Sequence, residues 1–244
     1  MQAAEIAAGD SKLKDKQTGL TLASSAYENI RHDIMNGEIP PGDKLLFDRL
    51  REKYSIGISP LREALNRLHS DGWVLREEQK GFRAAEISEG ELRQIVQARV
   101  LIEGAAIRAA IDLKDVNAEE ALVLAFHRLS KGKRFVDGER SAKWERLHRD
   151  FHLALVAGAK LPHVTAFCMQ LFDLAERYRI LCASSYPERN ERNEHSKILE
   201  AFTDGDADRT IGLLAEHYQV TVDLILNASP AMRRSSTTAP SAHP

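Results

Sequence analysis

Apolar residues recur about every four positions in the first third of the chain, over 25–35, 46–54 and 59–70. This spacing predicts three short amphipathic helices, because residues four apart share one face of an α-helix. A few residues that include a glycine separate the second helix from the third, so this pair is predicted to form a helix-turn-helix. Ser59 is the predicted N-cap of the third helix, with Pro60 at its first helical position.

The apolar spacing then falls to two residues, which is typical of β-strands. Residues 73–77 and 82–86 are predicted to be the strands of a hairpin, joined by the polar turn 78–81. A helix-turn-helix followed by a hairpin indicates a winged DNA-binding domain, whose second helix lies in the DNA major groove. We therefore assign residues 21–88 to a winged helix-turn-helix domain.

Helical spacing continues from Ser88 to about Asn227. Pro162 and Pro187 fall in predicted connections, where a missing amide hydrogen does least harm. We therefore predict a mainly α chain in which an all-α helical bundle, residues 89–228, follows the winged domain. Its predicted helices run from Leu92 through Ala106 and at about 119–131, 141–158, 163–183, 191–204 and 207–227.

Composition excludes some classes of protein. With 244 residues, 43% of them hydrophobic, and a formal net charge of −2, the chain is predicted to be globular, without a global charge that indicates nucleic acid or membrane. No apolar run is long enough to span a membrane. Cys168 and Cys182 are too few for a disulfide framework and predict buried thiols in a reducing cytoplasm. Residues 1–20 and 229–244 lack periodicity and are predicted to be a disordered leader and tail.

Polar residues of the winged domain are candidates for contact with DNA. Arg62 and Asn66 lie opposite the leucines of the third helix, where an arginine can donate two hydrogen bonds to guanine or bridge phosphates. Basic residues of the preceding helix would bind phosphates without reading sequence. The candidate contacts are Arg49, Arg51, Ser59, Arg62 and Asn66, with Gln79, Lys80 and Gly81 at the hairpin tip.

The charge balance of this domain leaves an alternative open. Residues 24–88 contain ten Lys/Arg against eleven Asp/Glu, and the predicted footprint 44–83 contains nine against six. The excess over the footprint is weak. A small protein-interaction module with solvated arginines is therefore the alternative.

The stretch 146–158 places His148 and His152 on one face of a predicted helix, while Asp150 between them points away. The two histidines can belong to a metal site or a catalytic pair, or they can be buried side chains with hydrogen-bond partners. No glutamate stands beside the first histidine as in the HExxH motif, and no nucleophile elbow or phosphate loop is found. We therefore disfavour an enzyme.

Short motifs along residues 24–227 resemble the GntR family of bacterial regulators with a FadR-type (FCD) effector domain. The motifs shared with its winged domain are GDKL at 42–45, SPLREAL at 59–65, DGW at 71–73 and GFRA at 81–84. Those shared with its effector domain are RVLIE at 99–103, FH at 151–152, EH at 194–195 and GD at 205–206. The family usually has an arginine where this chain has Ile58, so Arg62 and the hairpin are expected to carry more of the recognition.

The resemblance also implies a metal site. In FadR-type domains that bind metal, an Asp or Asn precedes a histidine by four positions, and two more histidines follow on later helices. His152, His195 and His217 match the histidines, and His148 stands at the acidic position. Nitrogen ligands suit Zn²⁺, with Ni²⁺ as the alternative metal. Whether His148 coordinates stays open, as does accidental alignment of buried histidines.

The resemblance places Arg99 at an effector cavity, where its guanidinium can bind a carboxylate. The alternative is a salt bridge with Glu103 on a helix surface. Tyr178 and Arg179 are further candidate contacts with the effector.

The expected function is a homodimeric repressor that binds a palindromic DNA operator and releases it when a small carboxylate binds. A dicarboxylate such as glutarate, between the metal and Arg99, is the expected effector. The alternatives are a metal-responsive or constitutive regulator without an organic effector and, less favoured, a metal-dependent enzyme.

Overall fold

The computed structural model describes residues 21–182 and 189–229 and divides into two compact units, with the boundary between Ile87 and Ser88. The predicted leader, 1–20, and residues 230–244 of the predicted tail lie outside the described residues. The mainly α fold class is confirmed. Within the part of the chain that is described, no helix is long and apolar enough to cross a membrane.

Within residues 21–87, the first unit contains three helices and a small antiparallel sheet. Its core is formed by fully buried residues of the first and third helices, including Ile30, Ile34, Leu61, Leu65 and Leu68. The sheet has the strand order β1-β3-β2. The elements are α1 (Leu22–Asn36), β1 (Lys44–Leu45), α2 (Phe47–Tyr54), α3 (Ile58–Ser70), β2 (Val74–Glu77) and β3 (Gly81–Ala84).

The structure corrects the predicted start of α3. Gly57, not Ser59, is the N-cap residue, and it has an extended conformation without a side-chain capping bond. Ile58 already belongs to the helix, so Ser59 and Pro60 lie within its first turn. The short strand β1, which was not predicted, pairs with β3 through Leu45 and Phe82.

The second unit is a helical bundle around a core that includes Ile107, Phe151, Leu155, Ile198 and Leu214. Side-chain caps start most of its helices, as where Ser88 accepts from the amide of Glu91. Cys168 and Cys182 are buried thiols, as predicted. The helices are α4 (Glu89–Leu113), α5 (Val116–Ser130), α6 (Ala142–Ala157), α7 (Pro162–Leu181), α8 (Glu191–Thr203) and α9 (Ala207–Ala228).

The second unit is a helical bundle as predicted, but a short hairpin that was not predicted interrupts its helices. Strands β4 (Phe135–Val136) and β5 (Glu139–Arg140) form a short hairpin between α5 and α6. Asp137 and Gly138 make its turn with φ angles of 53° and 83°. An Asp-Gly pair is a strong hairpin signal because both turn residues adopt positive φ.

Candidate functional site

Four histidines from three helices converge inside the second unit. His148 and His152 lie on α6, His195 on α8 and His217 on α9. Each offers one ring nitrogen, and these nitrogens all lie within 4.8 Å of one another. All four side chains are buried, and Asp150 is exposed, as its position on the helix predicts. The structure therefore brings together the four residues that the sequence proposed as metal ligands.

Aromatic packing orients the first histidine of the cluster. The ring of Trp144, one turn earlier on α6, is stacked on that of His148, with centroids 4.9 Å apart and planes 10° from parallel. The Nε2 atoms of His148 and His152 lie 3.2 Å apart, so one ring can donate a hydrogen bond to the other in the right tautomers.

Hydrogen bonds from outside the cluster hold two other rings. Nδ1 of His152 lies 3.2 Å from the hydroxyl of Tyr218, which donates to Glu103 at 2.5 Å and accepts from Arg99 at 2.7 Å. Nδ1 of His217 lies 2.8 Å from a carboxylate oxygen of Glu194. With Nδ1 engaged in this way, Nε2 is the ring nitrogen left for a cation in both histidines.

Burial keeps the cluster neutral. It lowers the pKa of His148, His152 and His195 well below the usual histidine value, and neighbouring positive groups lower them further. Burial also lowers the pKa of His217, to about 4, although Glu194 opposes the shift. Neutral imidazoles have a free lone pair, which is the protonation state that metal binding requires.

Two ring nitrogens of the cluster lack a hydrogen-bond partner among the described residues. Nδ1 of His148 and Nε2 of His195 are buried and have no hydrogen-bond partner within residues 21–182 and 189–229. An unpaired buried polar atom is unfavourable, and such atoms are uncommon in native proteins. A donor set of neutral imidazoles suits Zn²⁺ or Ni²⁺. The residues present therefore fit a divalent transition metal.

A cavity, here called the histidine chamber, opens beside the cluster. It is lined by His148, His152 and His217 and by Arg99, Arg179 and Glu191, among others. Arg99 pairs with Glu103 at 2.7 Å, but the side chains are only 6% and 3% exposed. The salt bridge that was expected as the alternative is therefore present, but it is buried and does not lie on the helix surface.

The structure separates the two further candidates on α7. Arg179 lines the histidine chamber, where its guanidinium is paired with Glu145 and Glu176. Tyr178 does not line this chamber, because its hydroxyl turns toward Glu91 and the amide of Ser88. The expected contact of Tyr178 with an effector stays a prediction, and it would have to be made outside this chamber.

Sequence reasoning missed the groups that surround the cluster. Tyr218 directly follows the predicted ligand His217, and Glu194 directly precedes the predicted ligand His195. Only the fold shows that Tyr218 contacts the ring of His152 and that Glu194 contacts the ring of His217. Trp144 stands one helical turn before His148, and this spacing was the one local signal available.

The first unit presents the candidate DNA contacts at its surface. Arg62 and Asn66 are exposed on α3, and the guanidinium of Arg62 lies 5.4 Å from the centroid of the Phe47 ring. Arg49, Arg51, Ser59, Gln79 and Lys80 are exposed, and Gly81 is half-buried at the start of β3. Ile58 is 51% exposed at the start of α3.

Known proteins match both units. Residues 22–83 match the family described as bacterial regulatory proteins, gntR family, and residues 94–220 match the FCD domain. The HTH-type transcriptional repressor GlaR of Escherichia coli K12 is 31% identical over 216 residues, which cover 86% of this chain and 98% of GlaR. The uncharacterized HTH-type transcriptional regulator BphR of Paraburkholderia xenovorans LB400 is 28% identical, over 84% of this chain and 85% of BphR.

A solved structure has the same fold. Escherichia coli McbR/YncC has a TM-score of 0.67 at 20% identity, covering 85% of this chain and 98% of that one.

Proposed function

We propose that this chain, which belongs to the GntR family and carries an FCD domain, is a repressor controlled by a divalent metal and a small carboxylate. Members of this family are DNA-binding transcriptional regulators and not enzymes. The observation that carries this proposal is the convergence of four buried, neutral histidines from three helices. Repression is proposed from the similarity to GlaR, whose name describes a repressor.

His148, His152, His195 and His217 would hold the metal. Bound there, a divalent metal is a Lewis acid that attracts a carboxylate oxygen. The substitution of His148 for the acidic ligand makes the donor set neutral. The metal charge is then not compensated by its protein ligands, which favours an anionic effector.

Arg99 is the proposed partner of the effector carboxylate. Its Nε and one terminal nitrogen are engaged by Glu103 and Tyr218. The other terminal nitrogen, Nη1, has no hydrogen-bond partner among the residues that the structure describes, so it can donate to a ligand in the chamber. Arg179, which lines the same chamber, is paired with two carboxylates and adds less free positive charge.

The DNA-binding half of the proposal assigns α3 to the major groove. A homodimer would present two such helices to the two halves of a palindromic operator. The effector can change operator affinity only if it binds more tightly to one arrangement of the DNA-binding domains than to another. Release of the operator on effector binding is the proposed direction.

The metal content of the purified protein tests whether the four histidines form a metal site. Protein purified without an affinity tag is expected to contain about one divalent metal ion per chain, the stoichiometry of one tetrahedral site. His152→Ala should lose the ion, whereas His163→Ala, which alters an exposed histidine on α7, should keep it. Wild-type protein that binds no Zn²⁺ or Ni²⁺ in an equilibrium titration would refute the metal site.

A second candidate is a metal-responsive regulator with no organic effector. It is favoured by the size of the histidine chamber, about 30 Å³, which is the space of about one water molecule. A thermal-shift panel of mono- and dicarboxylates, with and without a chelator, separates the two candidates. A shift that needs both acid and metal supports an effector, and a shift with metal alone supports the second candidate.

A further inference from the structure

The histidine chamber is too small for a complete organic effector. A volume of about 30 Å³ accommodates about one water molecule. A cation can lie between the imidazoles, but a carbon chain with a carboxylate at each end cannot fit in the same space. If one carboxylate approaches the histidines, the rest of the molecule needs a second space that adjoins the chamber.

A side cavity adjoins the chamber at Glu191. Its volume is about 190 Å³. Glu191 lines both spaces, and His195 lines the side cavity whereas the other three histidines line the chamber. A ligand that fills the side cavity therefore lies against the same histidine cluster. The lining residues used below are Phe126, Arg134, Trp144, Glu191, Arg192 and His195.

Glu191, which lines both spaces, forms a salt bridge with Arg134 of the side cavity. Nη1 of Arg134 lies 2.9 Å from Oε1 of Glu191, and each side chain is 11% exposed. The guanidinium of Arg134 also lies 5.6 Å from the centroid of the Trp144 ring. Since both side chains are nearly buried, loss of this ion pair would leave a buried charge uncompensated. Replacement of the Glu191 carboxylate by another carboxylate would keep the charge of Arg134 compensated.

The side cavity has the chemistry to hold the anionic end of a chain. Arg134 and Arg192 supply positive charge, and the rings of Phe126 and Trp144 supply apolar walls. Among the described residues that line it, Glu191 is the carboxylate. An incoming carboxylate can make two parallel hydrogen bonds to a guanidinium, which is the strongest pairing available to it here.

We propose that the side cavity is a second anion subsite, which binds the far carboxylate of a straight-chain dicarboxylate. This inference rests on the proposed function, because the near carboxylate lies in the histidine chamber. The far carboxylate replaces Glu191 as a partner of Arg134 and releases the Glu191 side chain, which lines both spaces. Glu191 thus competes with the ligand for one guanidinium, and it lies in the first turn of α8, the helix that carries His195.

If Glu191 and the ligand compete for Arg134, substitutions of Glu191 and of Arg134 should change dicarboxylate affinity in opposite directions. Glu191→Gln removes the competing charge and should tighten dicarboxylate binding by about tenfold, whereas Arg134→Gln should weaken it by about tenfold or more. Binding is measured by titration calorimetry on the zinc-loaded full-length protein, with succinate, glutarate and adipate. Butanoate, pentanoate and hexanoate, which lack the far carboxylate, should bind both variants and the wild type alike.

The opposite signs separate this mechanism from a loss of stability. A purely structural salt bridge would make both variants bind dicarboxylates more weakly, or neither, and that result would overturn the subsite. Glu200→Gln and Arg209→Gln break an exposed pair between α8 and α9 and serve as controls that should bind like the wild type.

Failure of the subsite and failure of the proposed function look different. If wild-type protein binds mono- and dicarboxylates equally in a metal-dependent way, and Glu191→Gln changes neither, only the subsite is refuted. If wild-type protein binds no carboxylate with metal present, the proposed effector site is refuted and the subsite with it.

Discussion

The hydroxyl of Tyr218 joins the buried Arg99–Glu103 pair to the histidine cluster. It accepts from Arg99, donates to Glu103 and lies beside Nδ1 of His152. A group outside the ligands that fixes ring orientation and tautomer raises metal affinity. Arg99 therefore has two roles in our account, as a support for His152 through Tyr218 and as a contact for the effector.

Tyr218→Phe tests this support. The phenylalanine fills the same space, but Nδ1 of His152 loses its partner, and we expect Zn²⁺ affinity to fall by about 10–100-fold. A competition titration against a chromophoric chelator measures the loss. Tyr27→Phe, which removes a hydroxyl that donates to Asp71 at 2.6 Å in the first unit, is the matched control. Equal Zn²⁺ affinity in Tyr218→Phe and wild type would exclude the supporting role.

A second buried charge, Asp33, stabilises the first unit in a pH-dependent way. Burial alone would raise its pKa, but hydrogen bonds from Lys53 and Tyr54 outweigh burial and lower it. A carboxyl with a depressed folded-state pKa stabilises the fold above its unfolded pKa, and this contribution is lost as pH falls through the folded pKa.

Asp33→Asn should therefore destabilise the first unit by about 2 kcal/mol at neutral pH, the scale of hydrogen bonds to a charged group. The difference from wild type should shrink as pH falls below about 4, where the unfolded carboxyl is protonated. Chemical unfolding followed at several pH values measures it. Asp48→Asn, at a side chain that is 98% exposed, should show no such dependence, and a pH-independent loss in Asp33→Asn would contradict the assignment.

At the level of elements, apolar spacing was sufficient to predict the helices but not their ends. The stripe of Leu61, Leu65 and Leu68 located α3, and these leucines are fully buried. Its start was misplaced because Ser59 is a strong N-cap residue in isolation, whereas the backbone here enters the helix after Gly57. Strands of two residues, such as β4 and β5, have too few positions for a period to be visible.

The candidate site was predictable to a different extent. A one-turn spacing and the family resemblance indicated His148 and His152, because both signals are local or inherited. The contacts of Tyr218 and Glu194 with the histidine rings depend on how α6, α8 and α9 pack together. The spacing of residues along the sequence does not specify this packing. The same reason applies to Tyr178 and Arg179, since periodicity cannot say which of two adjacent buried residues faces a cavity.

Helix α3 carries the prediction for DNA binding. Arg62→Ala removes an exposed guanidinium held over Phe47, and we expect operator affinity to fall by about tenfold or more, since one bidentate base contact is worth about 1–3 kcal/mol. Arg67→Ala, on the same helix, removes a guanidinium that lies 4.6 Å from the Tyr27 ring centroid, and it should have a smaller effect. Gel-shift titration measures both. Operator binding by Arg62→Ala at wild-type strength would refute the assignment of Arg62.

For the whole molecule, the two units are expected to communicate through binding free energy. The proposed metal and carboxylate sites lie in the second unit, and the candidate operator contacts lie in the first. If the dicarboxylate weakens operator binding by a given factor, thermodynamic linkage requires the operator to weaken dicarboxylate binding by the same factor. This equality holds whatever structural change connects the units.

Reciprocity can be measured on zinc-loaded protein at fixed salt, because protein–DNA affinity depends steeply on ionic strength. Operator affinity is titrated with and without saturating glutarate, and glutarate affinity with and without saturating operator. We expect equal factors of about 5–150, the usual range of allosteric coupling. In Glu191→Gln, glutarate should act on the operator at lower concentration, because its binding is tighter. A fall in operator affinity without a matching fall in glutarate affinity would mean that the acid acts as a salt and not at the histidine site.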